Sequence, residues 1–257
     1  MRKPRLAALL ASGNAAASPV LRAIAAAQTM GPVASTSLRV ASRIANTLRA
    51  GRAVASVDAF EACHVVLISV PHQGVDAAVA QLRAAPFAWK HRTAILIGDD
   101  GGRLALLREL GAGTGVIAAM PGFEDRLFVL EGERAALREV RPLLGRGVRV
   151  ELIPPGARVR FDAAITLVTH GLFPMLVAAD AAFASAGLAR RITDPVLEKA
   201  VQRALRAWIN GRRKGWGTAD EQSQARLASQ IAALEGADPW AGAYLRSLLE
   251  TAHELMR

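Results

Sequence analysis

A chain of 257 residues, 52% of them apolar, is long enough for one large domain or two small ones, and its composition is that of a packed soluble protein. The net charge of +10 comes almost entirely from arginines scattered among alanines, the only lysines being Lys3, Lys90, Lys199 and Lys214. No arginine cluster alternates with stacking aromatics, so the charge reads as diffuse and solvated and no nucleic-acid partner is expected; the single cysteine, Cys63, excludes an internal disulfide and a multi-cysteine zinc site.

Taken in order, residues 5–25 read as a strand, a tight turn and a helix. Met1-Arg2-Lys3-Pro4-Arg5 followed by apolar and small residues superficially matches an export signal, but Ser12-Gly13-Asn14 interrupts the apolar run after six residues, which favours a cytoplasmic strand. In a Gly-x-Gly-x-x-Gly dinucleotide turn, missing side chains let backbone amides at a helix start approach a pyrophosphate. Here the three slots hold Ala11, Gly13 and Ala16. The middle glycine is kept, the third slot is an accepted variant, and Ala11 is a departure where the tight turn is expected.

A helix over 18–28 should pack through Val20, Leu21, Ile24 and Ala25, and a second strand covers 30–36. An acid at the end of such a strand binds the ribose 2'-hydroxyl of NAD, whereas a nearby arginine suits the 2'-phosphate of NADP. Ser35, Thr36 and Ser37 are followed by Arg39 and Arg43 with no acid, which favours NADP; the alternative is that both arginines simply form the exposed face of the next helix. That helix, 38–49, presents Val40, Ile44 and Leu48 to a core and is expected to stop at Gly51.

A short strand near 53–56 leads to HVVLISV at 64–70, a continuous apolar run of the kind covered on both faces in a parallel sheet. The loop Pro71-His72-Gln73-Gly74 then lies at the carboxyl end of the sheet, where such folds bind ligands, and makes His72 either a functional group or an exposed loop residue. A helix at 75–82 and a strand at 93–98 follow, ending in Asp99-Asp100-Gly101-Gly102, read as a helix cap with one possible ligand contact. Further elements are a helix at 104–110, a sixth strand at 115–120, and strands at 127–130 and 148–153 flanking a helix at 133–144. This alternation predicts an α/β domain over 1–154.

Past Pro154-Pro155-Gly156 everything reads as helix, so 155–257 is expected to be an all-α domain. Residues 163–187 are nearly all apolar yet carry His170, Pro174 and Asp180, which favours a central helix surrounded by protein over a membrane span. Helical spacing recurs in Val196–Ile209, at Leu227, Ile231 and Leu234, and from Leu245 to Leu255. The basic loop at 211–217 could grip an anion or be merely solvated. The histidines show no metal-ligand spacing, and neither a phosphate loop ending in Gly-Lys-Ser/Thr nor a Gly-x-Ser-x-Gly elbow occurs.

The first turn at 11–16, HVVLISVP at 64–71, LFVLEGERAALREVRPLL at 127–144 and the long helix from Asp162 to Ala186-Gly187-Leu188 together resemble the pyrroline-5-carboxylate reductase and 6-phosphogluconate dehydrogenase group. More closely, the chain resembles a bacterial family of uncharacterised Rossmann-like proteins related to those reductases. The resemblance covers nearly the whole chain. It implies a Rossmann-like parallel-sheet domain and a helical substrate and dimerisation domain, hence a homodimer, which the interrupted N-terminal apolar run places in the cytoplasm. It further implies NADP held by Ser12, Gly13, Asn14, Ala15, Ala16, Ser35, Thr36, Arg39, Val70 and Pro71, and hydride transfer to a small C=O or C=N substrate in the interdomain cleft.

The departures from that group concern the proton. The relatives place a Lys or His near the start of the long helix and an Asn one or two turns later; those slots fall here on Phe161 and Asp162, and on Thr169 or His170. A His-Pro pair after the sixth strand is replaced by Met120-Pro121. Reduction of a carbonyl or imine needs a proton donor beside the reacting atom, and the candidates are His170, Asp162 and His72. Each has an ordinary alternative: a satisfied core histidine for His170 and a helix cap for Asp162. The competing reading of the whole chain is a catalytically inactive Rossmann scaffold that binds a ligand or partner.

Overall fold

The computed structural model describes residues 6–98, 104–212 and 221–256. The predicted Asp99-Asp100-Gly101-Gly102 turn and most of the basic loop at 211–217 lie outside the described residues. The chain divides into two compact units, Met1–Arg160 and Phe161–Arg257.

The first unit alternates strands and helices. Strand β1 (Ala7–Ala11) leads to α1 (Pro19–Ala26), β2 (Met30–Ala34), α2 (Leu38–Leu48) and β3 (Arg52–Ala53). Then come β4 (Val65–Ser69), α3 (Val75–Arg83), β5 (Thr93–Ile97) and α4 (Leu104–Arg108). The unit closes with β6 (Gly113–Ala119), β7 (Leu127–Gly132), α5 (Arg134–Val140) and β8 (Arg149–Ile153). These form one eight-stranded sheet in the order β3-β2-β1-β4-β5-β6-β7-β8.

The sheet is a Rossmann-like, doubly wound one. The apolar run at the start of the chain that resembles an export signal is its strand β1, buried throughout. Ala7, Leu9 and Ala11 of β1, Val65 and Leu67 of β4, and Ile95 and Ile97 of β5 enter one core with the apolar faces of α1, α2 and α5. The alternating residues Ala8, Leu10, Val66, Ile68, Ala94 and Leu96 enter a second core with α3 and α4. Side chains of a strand alternate between its faces, so a run that is apolar at every position is what a sheet covered on both sides requires.

The sheet is not parallel throughout: β7 runs antiparallel to β6, and β8 is parallel to β7. The connection from β6 to β7 has no helix that could carry the chain back for a parallel pairing. Helix α2 also ends earlier than its spacing suggests, because Arg49 takes the left-handed conformation (φ 52°) and closes it. Gly51 serves a different purpose: at φ +81° any Cβ would stand 2.8 Å from the Gly31 carbonyl oxygen. Only glycine lets the chain pass so close to β2.

The edge opposite the strands' carboxyl ends is tied by Arg92. Its guanidinium donates to the carbonyls of Ala88 (2.8 Å), Glu61 (2.8 Å), Phe60 (3.4 Å) and Cys63, and lies 4.6 Å over the Phe87 ring.

Helix α6 (Arg158–Thr169) crosses the division between the units. The second unit continues with α7 (Leu172–Ser185), α8 (Arg190–Gly211), α9 (Glu221–Ala237) and α10 (Pro239–Met256). Helix α7 packs on α8, α9 and α10, and α9 pairs with α10. Asp238 caps α10 by accepting the Ala241 amide at 3.0 Å, and Arg246 donates to both Glu235 carboxylate oxygens from Nε and Nη2.

Two expectations for this region are corrected. The apolar stretch forms two helices, because Pro174 has no N–H for the turn before it and the chain turns at His170-Gly171. Nor is the stretch surrounded by protein: residues 158–185 are together long and apolar enough to cross a membrane, and only 6% of the 18-residue apolar window within them is buried. Val159, Leu167, Val168 and Phe173 are all more than two-thirds exposed (72, 73, 70 and 67%). Hydropathy reports what a helix would like covered, and among the described residues that cover is not supplied.

Candidate functional site

The strand order reverses between β1 and β4, and the crevice beyond their carboxyl ends is where open α/β sheets bind ligands. A hollow of ≈ 430 Å³ lies there. Ser12, Asn14, Ala15 and Ala17 line it from the turn after β1, Ser69, Val70 and Pro71 from the end of β4, and Ile97 and Gly98 from the end of β5. The Ser12 amide donates to the Ser69 carbonyl at 3.0 Å and ties the two walls together.

The turn is built around Gly13. Its φ of +64° is in the left-handed region, and a Cβ on it would stand 3.3 Å from Pro71 Cγ. Both the conformation and the closeness select glycine at this slot. The expectation that Ala11 forfeits the tight turn is corrected: Ala11 is the last residue of β1 with an ordinary negative φ, and the turn is made at Gly13. A single 3-10 turn, Ala15–Ala17, precedes Ser18 and Pro19 at the start of α1. Among the described residues the amides of Gly13, Asn14, Ala15 and Ala16 donate to no backbone carbonyl. A glycine turn with four such donors ahead of a helix fits the pyrophosphate of a dinucleotide.

At the neighbouring strand end, Ser35 is buried and its hydroxyl donates to the Ala11 carbonyl at 2.5 Å. That proton is committed to the scaffold, so Ser35 can offer a ligand only lone pairs. Thr36 is exposed, and Ser37 caps α2 by accepting the Val40 amide at 3.3 Å. Arg39 and Arg43 are exposed on α2, and no acidic residue stands between β2 and that helix. Exposed hydroxyls, a helix start and a guanidinium are suited to a phosphate monoester. His72 is exposed and opens the 3-10 turn His72–Gly74 immediately after Pro71.

The other proton-donor candidates lie in the second unit. Asp162 does not cap the long helix as its position suggests, because α6 already begins at Arg158 and Asp162 sits half-buried in its second turn. His170 is not a core histidine: it is exposed, in the turn between α6 and α7, with Nδ1 3.0 Å from Thr169 Oγ1. Among the described residues no group of three or more His, Cys, Asp or Glu could hold a metal ion.

Sequence reasoning missed Glu131. It is 3% exposed at the end of β7, and its carboxylate accepts the Gly156 amide, fastening the segment after β8 to the sheet. Together with Arg108 and the buried Arg158 it lines a hollow of ≈ 200 Å³. The Glu-Gly at 131–132 was visible in the sequence, but nothing local marks its partner 25 residues on.

No family model and no curated protein matches this chain. Solved structures do. A candidate NADP oxidoreductase from Bacteroides fragilis aligns with a TM-score of 0.75 at 12% identity, covering 98% of each chain. An imine reductase from Aspergillus terreus, solved with NADPH4 and dibenz[c,e]azepine, aligns at 0.69 and 15% identity over 98% of this chain and 92% of its own. A reductive aminase from Aspergillus terreus, in complex with NADPH and ethyl levulinate, aligns at 0.64 and 18% identity over 98% and 94%. At such identities the likeness is one of fold, and it extends over both units.

Proposed function

We propose that this chain is an NADPH-dependent reductase of small C=N or C=O compounds. The observation that carries the reading is the Gly13 turn: a left-handed glycine against Pro71, followed by amides with no backbone acceptor, at the switch point of the sheet. The fold neighbours add to it, an imine reductase in complex with NADPH4 and dibenz[c,e]azepine and a reductive aminase in complex with NADPH and ethyl levulinate. The amides of Gly13, Asn14, Ala15 and Ala16 would hold the pyrophosphate, with Ser12, Val70 and Pro71 forming the adjoining wall. Thr36 and Arg39 would take the ribose 2'-phosphate, with Ser35 accepting from the ribose.

NADPH held there would supply a hydride, that is two electrons and one hydrogen, to the substrate carbon. The C=N pair then moves onto nitrogen, which needs a proton from the protein. His170 is the donor we propose, ahead of Asp162 and His72, because its ring is exposed and already oriented by a neighbour. Calorimetry with NADPH and NADH tests the cofactor. Micromolar binding of NADPH and weaker binding of NADH is expected, and no binding of either at millimolar concentration would sink the reductase reading.

The scaffold reading keeps one observation in its favour, the replacement of the relatives' Lys and Asn slots by Phe161 or Asp162 and by Thr169 or His170. It predicts NADPH binding without oxidation in the presence of cyclic imines or ketones. We further propose a cytoplasmic homodimer built through the helical unit, which would cover the apolar residues left exposed on α6 and α7.

A further inference from the structure

We infer that Thr169 is a positioning residue that fixes the tautomer of His170 and leaves Nε2 as its proton-transfer atom. The inference rests on the reductase reading for the use of that proton, and on hydrogen-bond geometry for the tautomer. The Thr169 hydroxyl has one proton. It lies 2.9 Å from the Ile165 carbonyl, four residues back, which can only accept, so the proton is spent there. Toward His170 Nδ1, 3.0 Å away, the same oxygen can then only accept. Nδ1 must therefore carry hydrogen, and the neutral ring holds its lone pair on Nε2.

This polarity matches the direction of a reduction. The imidazolium donates from Nε2 to the substrate nitrogen as the C=N bond becomes CH–NH. The ring is left neutral with its remaining proton on Nδ1, still bonded to Thr169 Oγ1. The same hydrogen bond is thus present before and after proton transfer, and no tautomer exchange is needed before the ring is reprotonated from solvent. Thr169 is itself held by the helix, whose Ile165 carbonyl fixes the hydroxyl rotor.

The test is imidazole nitrogen NMR of the full-length protein, the His170 signals being assigned by their loss in His170→Gln. With the ring neutral, the wild type is expected to show the Nδ1–H tautomer, Thr169→Ser to keep it, and the near-isosteric Thr169→Val to shift it toward Nε2–H. In parallel, kcat for NADPH-dependent reduction of a cyclic imine should fall about tenfold in Thr169→Val at unchanged KM, part of the roughly 10²–10⁴ a placed general acid contributes, and recover in Thr169→Ser. A wild-type ring with its proton on Nε2, a tautomer indifferent to Thr169→Val, or an unchanged kcat once the tautomer is lost would each overturn the inference while imine turnover stands. Absence of NADPH binding or of turnover in the wild type is the separate failure of the reductase reading, and leaves Thr169 no proton transfer to direct.

Discussion

Gly13 meets two demands at one position, a left-handed backbone and a van der Waals wall at Pro71. Gly13→Ala should cost about 1–2 kcal/mol in urea unfolding from the backbone alone and weaken NADPH binding further, because the turn must open to admit the methyl group. This residue was legible in the sequence, since glycine at the middle slot is a local signal. Ser35 was legible only as a polar residue near a strand end; that its hydroxyl is spent on Ala11 depends on a partner 24 residues away. Glu124 is a different case. The amides of Gly122 and of Glu124 itself stabilise its ionised carboxyl and hold it below the usual carboxylate range. With the folded value depressed, the turn's bond is present above the unfolded carboxylate range and lost only as pH falls through the lower folded one. The Gly122 amide resonance should therefore titrate in acid below the ordinary glutamate range, and Glu124→Gln should abolish that titration.

At the level of elements, strand identity was written in the doubly apolar runs, but strand direction was not. Alternation is the same whichever way β7 runs; only the helix-free link from β6 carries the reversal, and it does so by excluding the parallel alternative. Arg92 shows the same limit at the other edge of the sheet. One guanidinium gathers the carbonyls of Glu61 and Cys63 from the segment before β4 with that of Ala88 before β5. Beside it the Cys63 thiol is pushed up by burial and pulled partly back by the Arg92 charge. A lysine has the charge without the planar fork, so Arg92→Lys should destabilise the fold by about 1–3 kcal/mol in urea denaturation, with carbonyls left unpaired. NADPH affinity should be unchanged, because Arg92 is remote from the switch-point hollow.

For the whole molecule, the order and spacing of the apolar runs foretold an α/β unit and an all-α unit and were silent on what the second is packed against. Apolar content belongs to the sequence, whereas burial belongs to the neighbours. Among the described residues of the second unit only Ala178, Thr193, Ile231, Ala241 and Gly242 are buried. If a second copy supplies the missing cover, light scattering should give a dimer, and Leu167→Asp or Phe173→Asp should yield a monomer with a less cooperative melt.

If a second copy supplies that cover, folding of so sparsely filled a helical unit becomes a bimolecular matter. When association and folding are one equilibrium, the melting temperature becomes a function of how much protein is in the tube, and each tenfold dilution removes about 1.4 kcal/mol from the folded dimer. At low expression the chain would sit nearer its unfolding limit than at high expression, so its working stability would be set by abundance as much as by sequence.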